Sequence, residues 1–179
     1  MDNLLKRYEA ILKAVGLGEE PKKTQENGEI KFAGKRWIMM NVDAFPSYMI
    51  KSTANIMGER MAQEFLYWFG YTYGEKTLET YQNLGVPTEQ IPEVVAAFTA
   101  FFTGWGIPEI LEFSPERGRL LVKLHNDFES ASAIMNNEKP TNNFMRGVLA
   151  GMFAKALNTK VRATSEYKDG VTFITVEKR

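Results

Sequence analysis

A chain of 179 residues, 44% apolar and 25% charged, holds enough material for one hydrophobic core and little for a second. Its 22 basic and 22 acidic side chains cancel, so no global field draws it to nucleic acid or an anionic membrane, and only a local basic patch could. With no cysteine and one histidine, His125, the chain has no disulfides, thiol nucleophiles, thiolate metal sites or multi-histidine sites.

Residues 3–15 place Leu4, Leu5, Tyr8, Ile11, Leu12 and Val15 at helical spacing, and Gly16 and Gly18 stop that helix. The polar stretch 18–28 reads as a linker, so residues 1–27 form an N-terminal helix and linker ahead of one globular unit at 28–179. Alternation at 29–33, a tight connection at Gly34-Lys35 and an apolar run at 36–42 predict a β-hairpin. Asp43 is placed to cap a helix with Pro46 in its first turn, reaching Met57. Gly58 breaks it, and a long helix from Glu59 to Leu84 ends at Gly85 and Pro87. A further helix starts at Thr88 and ends with Thr103 before Gly104-Trp105-Gly106. Strands at 108–113 and 119–125 flank a turn at 114–118, and a short helix at 128–135 follows. A helix at 143–157 precedes two strands, 160–166 and 171–177, that turn at Lys168-Asp169-Gly170. Strands come in neighbouring pairs, which predicts an α+β fold with an antiparallel sheet built from hairpins and packed against several helices.

The middle helices carry a heavy load of aromatic and methionine side chains. Such a stripe most often packs a core, but flat rings and adaptable thioethers also wall cavities for apolar ligands. The candidate ligand-binding residues are Phe45, Met49, Met61, Phe65, Trp68, Phe69, Phe98, Phe102 and Trp105. Arg36, Arg60 or Tyr67 could orient a polar end of the ligand. Gly147 and Gly151 lie four apart on one helix face, and the expectation is a close approach to a neighbouring element. In the strand ending at His125, Leu120, Val122 and Leu124 share one face, which puts His125 with Lys123 toward solvent. Glu166 and Asp169 read as solvated charge at a turn, and no catalytic set or phosphate-binding glycine loop is present.

Several short segments together resemble the 4-vinyl-reductase-like (hydrocarbon-binding) domain family. They are Phe32-Ala33-Gly34-Lys35-Arg36, Gly70-Tyr71-Thr72-Tyr73-Gly74, Gly104-Trp105-Gly106-Ile107, Arg146-Gly147-Val148-Leu149-Ala150-Gly151, and the closing strands with Glu166. The resemblance covers residue 28 to 179 and implies the ligand-binding fold shared by NO-signalling and Golgi-transport proteins. It also implies helix-mediated dimers and binding of apolar or aromatic compounds. Family members that hold zinc use cysteines where this chain has Thr141-Asn142-Asn143 and Glu166–Gly170, so zinc is not expected. Haem is not expected either, because His125 falls on a strand rather than a helix.

The function expected is a small-molecule sensor or carrier for an apolar or aromatic ligand, without catalysis or a cofactor of its own. Two alternatives stand beside it. One is an accessory component of a tetrapyrrole vinyl reductase; the other is a homodimeric interaction or scaffold module. The expected partners are a small apolar molecule, a second copy of the chain and a separate output protein, with no nucleic acid. No window approaches the ~20 apolar residues of a membrane span, and no signal-peptide pattern occurs, so a cytoplasmic location is expected.

Overall fold

Two glycine pairs decide how the main helices meet. The computed structural model describes residues 1–16, 29–32 and 35–179; the linker expected at 18–28 lies outside them. The first helix, α1 (Asp2–Ala14), buries Tyr8 and Leu12. Strands β1 (Ile30–Phe32) and β2 (Lys35–Trp37) pair antiparallel. Helices α2 (Ser47–Met57) and α3 (Glu59–Asn83) follow, separated by Gly58 at φ 84°. Helix α4 (Ile91–Phe98) runs on into a π-helical turn at Thr99–Thr103. Strands β3 (Ile107–Ser114) and β4 (Arg119–His125) precede α5 (Phe128–Met135) and α6 (Asn143–Leu157). Strands β5 (Val161–Lys168) and β6 (Val171–Lys178) close the chain.

Strands β3 to β6 form one antiparallel sheet in the order β3-β4-β6-β5, and helices pack on one face of it. The chain is therefore α+β, as the pairing of strands predicts. Leu120, Val122, Leu124, Ile174 and Val176 point into the core, and Lys123 and His125 sit on the opposite face with Glu109. The His125 Nε2 lies 3.1 Å from Glu109 Oε2, which holds the Glu109 carboxyl below the ordinary carboxylate range.

Helix α3 lies against α6 along its length. Gly70 and Gly74 of α3 meet the carbonyls of Phe144 and Val148, while Gly147 and Gly151 of α6 meet those of Tyr67 and Tyr71. A Cβ at any of the four would collide with a backbone oxygen. The approach expected of Gly147 and Gly151 is thus a reciprocal contact between two Gly-x-x-x-Gly faces.

Carboxylates fasten the ends of α5 and α6. Asp127 caps α5 by accepting from the Glu129 and Ser130 N–H groups, and takes further bonds from Asn142 Nδ2 and Thr172 Oγ1. Buried Glu129 accepts from the Phe144 N–H at 3.0 Å and the Met145 N–H at 2.7 Å, which satisfies two orphan donors in the first turn of α6.

Three boundaries differ from expectation by three residues or more. Strand β2 ends at Trp37 rather than at residue 42, because β1 offers it only three partners; Ile38, Met39 and Met40 are exposed beyond the ladder. Helix α2 begins at Ser47, not after Asp43: Asn41 spends its side chain on the Asp43 N–H and its carbonyl on Ala44 and Phe45, forming a turn instead. The helix expected from Thr88 begins at Ile91 and widens to π geometry at Thr99, where the Thr103 hydroxyl bonds the Thr99 carbonyl.

Candidate functional site

A cavity of about 140 Å³ lies between the sheet and helices α3, α4 and α6. Its floor is the inner sheet face, with Pro108, Ile110, Phe113, Leu120, Val122 and Leu124. Helix α6 contributes Met145, Val148, Met152 and Phe153, and α4 contributes Ile91, Val95, Ala96 and Phe98. Trp37 of the hairpin and Trp105 of the Gly104–Gly106 turn complete the wall. Trp37 leans on Phe98 at 5.7 Å between ring centroids, which ties the hairpin to the cavity.

The polar contribution comes mostly from one helix face and the π-helical turn. Tyr73, Thr77, Thr80 and Tyr81 of α3, at spacings of four, three and one, all line the cavity, as do Thr99 and Thr103. Helical hydroxyls of threonine commonly turn back to their own backbone. Thr77 does so to the Tyr73 carbonyl, at 2.9 Å. The phenolic hydroxyls of Tyr73 and Tyr81 make no hydrogen bond among the described residues. Burial pushes both phenols above their ordinary range, and the proximity of Tyr73 adds to the effect on Tyr81. Both remain neutral at physiological pH and keep an O–H to donate.

The sequence-derived candidates divide into three sets. Phe98 and Trp105 line the cavity. Phe102 meets Phe98 at a tilt, 5.2 Å between ring centroids, while Phe45 joins a cluster with Phe128 and Phe144 and Met49 packs against that same core. Met61, Phe65, Trp68 and Phe69 lie half-exposed on α3, away from the cavity, although Phe69 reaches the Phe144 ring at 5.8 Å. The buried stripe of α3 is instead Ala62, Leu66, Gly70, Gly74, Leu78 and Tyr81. Gly70 and Gly74 occupy its middle because α6 presses there, and Phe65, Trp68 and Phe69 are displaced to the flanks. Of the residues weighed for a polar end, Arg36 pairs with Glu29 on the hairpin, and Arg60 and Tyr67 face a separate groove.

Tyr73, Tyr81, Met145 and Met152 were not singled out from the sequence. Residue type drew attention to the rings of α3, whereas helical phase relative to Leu66 and Leu78 picks out Tyr81. Among the described residues, no three or more of His, Asp and Glu group as metal ligands, and no helix is long and apolar enough to cross a membrane.

No family model matches the chain, and no curated protein sequence matches it. Solved structures do resemble it. The phenol-responsive sensory domain of the transcription activator PoxR, solved with phenol, superposes with a TM-score of 0.75 at 13% identity, over 97% of this chain and 90% of that one. Subunit 3 of a trafficking protein particle complex from Naegleria fowleri, covalently bound to palmitic acid, gives 0.51 at 15% identity, over 77% and 92%. A Cs H-NOX mutant carrying 4-cyano-L-phenylalanine gives 0.51 at 12% identity, over 97% and 86%. The chain shares the fold of these proteins.

Proposed function

We propose that this chain is a small-molecule sensor or carrier domain whose ligand is a single aromatic ring bearing a hydrogen-bonding group, held in the cavity between the sheet and α3, α4 and α6. The observation that carries this reading is an apolar cavity of about 140 Å³ lined by two tyrosines whose hydroxyls have no partner among the described residues. An engineered apolar cavity of about 150 Å³ stays dry and takes up benzene, so the volume suits one ring. A long acyl chain or a haem macrocycle exceeds it. The superposition on a phenol-responsive domain and the resemblance to hydrocarbon-binding domains point the same way. Of the residues read from the sequence, Phe98 and Trp105 would touch the ligand, and Phe45, Met49 and Phe102 would support the wall from behind.

Titration calorimetry with phenol, benzene and cyclohexanol tests the reading. Phenol is expected to bind most tightly. Tyr81→Phe is expected to weaken phenol by about fivefold to tenfold, the worth of one hydrogen bond, with little change for benzene. The folded state should lose nothing in that variant, since the hydroxyl it removes is unpaired. Phenol binding no tighter than cyclohexanol, or equal in Tyr81→Phe, would refute the assignment.

A second observation favours pairing of two copies. Tyr48, Ile56, Met57, Met61, Phe65 and Phe69 expose a run of large apolar side chains along α2 and α3. Single exposed apolar residues are ordinary, but a contiguous set on one helix pair is the mark of an interface. Self-association through that face buries it, and a ligand-dependent signal would then pass to a separate output protein.

A further inference from the structure

A second concavity, of about 690 Å³, lies where the first half of α3 meets the start of α6 and strand β5. It shares no lining residue with the apolar cavity. Its character is the opposite. Arg60, Arg146, Lys160, Arg162 and Arg179 line it, against one acidic side chain, Glu64. None of these five cations makes an ion pair among the described residues. Several cations elsewhere are matched: Arg7 with Glu93, Lys51 with Glu138, Lys76 and Lys155 with Glu79, and Arg119 with Glu112 and Glu177. Glu177, the register neighbour of Arg162 across the sheet, is thus engaged with Arg119. Five cations without an ion pair among the described residues thus gather at one place.

Arg146 is built into the groove. Its guanidinium lies 5.7 Å from the Tyr67 ring centroid and one amino group reaches Asn143 Oδ1, yet its Nε is buried with no acceptor. Its other amino group is bonded to nothing among the described residues, and there an anion in the groove can meet the guanidinium. Beside it, Trp68 packs against Tyr67 at 5.6 Å and Tyr71 at 5.2 Å while remaining half-exposed, which leaves indole surface for a second planar group.

We propose that this groove binds a nucleoside polyphosphate, with Arg146, Arg162 and Lys160 taking the phosphates and Trp68 stacking on the base. The excess of positive charge calls for more than one negative charge on the ligand. Arginine forks fit phosphate oxygens bidentately, and a base stacks on an aromatic ring whatever its identity. A volume within the range of small-molecule sites accommodates a nucleotide and is far too large for an inorganic anion alone.

The test is calorimetric titration of the full chain with ATP, inorganic triphosphate and adenosine in metal-free buffer at moderate salt. ATP is expected to bind in the micromolar range and more tightly than triphosphate, with adenosine weaker than both. Arg146→Gln is expected to weaken ATP by at least about tenfold and Trp68→Ala by about fivefold. Arg162→Gln, an exposed change on β5 that cannot unfold the chain, is expected to weaken ATP by several-fold while phenol affinity in the other cavity stays unchanged. Three results would each overturn the proposal: no ATP binding at millimolar concentration, triphosphate binding as tightly as ATP, or wild-type ATP affinity in Arg162→Gln.

Discussion

Glu129 shows how one residue can tie stability to pH. It is fully buried, and burial pushes its carboxyl up from 4.5 to about 8, with the Asp127 charge adding and the Met145 and Phe144 N–H groups opposing. A carboxyl raised on folding stays protonated in the folded chain over a range where the unfolded chain has released its proton. Its contribution is therefore full below about pH 4.5 and is lost as pH rises through about 8. Urea denaturation across that window should show stability falling with pH. Glu129→Gln should flatten the slope and cost about 1–3 kcal/mol, because its amide nitrogen opposes a backbone donor. An unchanged slope in the variant would assign the titration to another group. Tyr81 teaches the complementary lesson: its ring contributes to the core beside Phe98, at 6.4 Å, while its hydroxyl contributes nothing internal. A residue that the fold needs only in part has the rest available for a ligand.

At the scale of elements, the pairing of α3 with α6 governs the rest. Four glycines let the two backbones touch, so the larger side chains are forced to either side of the contact. On one side Tyr73, Leu78 and Tyr81 meet the sheet-facing residues of α6 and enclose the cavity; on the other, Tyr67, Trp68 and Tyr71 border the cationic groove. Gly74→Ala places a methyl group into the Val148 carbonyl, and the helices must separate to admit it. Chemical denaturation should register a loss of about 1–3 kcal/mol or more. Phenol affinity should fall with it, since Val148 lines the cavity. Alanine at Gly16, where a Cβ meets open space but φ is 73°, tests backbone strain alone. A loss there equal to that of Gly74→Ala would show that helix separation is not the cause.

For the whole molecule, the proposed function raises the question of how a ligand in the cavity would be read from outside. The α2–α3 surface is the candidate, because α3 lines the cavity with Tyr73 and Tyr81 and turns Met61, Phe65 and Phe69 outward. Light scattering at micromolar concentration is expected to give a dimer. Phe65→Glu, which buries a charge in that face, is expected to give a folded monomer. A monomeric wild type would remove the second copy from the scheme and leave a different partner for the face.

Much of this architecture was legible in the residues. The Gly170 turn and the order of paired strands pointed to the antiparallel sheet, and the period of two at 119–125 picked out its inward face. The glycines at 58 and 85 set helix limits for a similarly local reason, whereas the cap expected at Asp43 gave way to the turn held by Asn41. The spacing of Gly147 and Gly151 announced a close contact without naming its partner. What the tertiary structure alone decided was which aromatic residues surround empty space. Phe65, Trp68 and Phe69 look like cavity walls by composition, and Tyr81 like a minor member of the same helix. Their fates depend on the rotation of α3 about its axis, and that rotation is fixed by Gly70 and Gly74 meeting the carbonyls of α6. The gathering of Arg60, Arg146 and Arg162 was equally hidden, since they come from three elements that only the packing of α6 between α3 and β5 brings together.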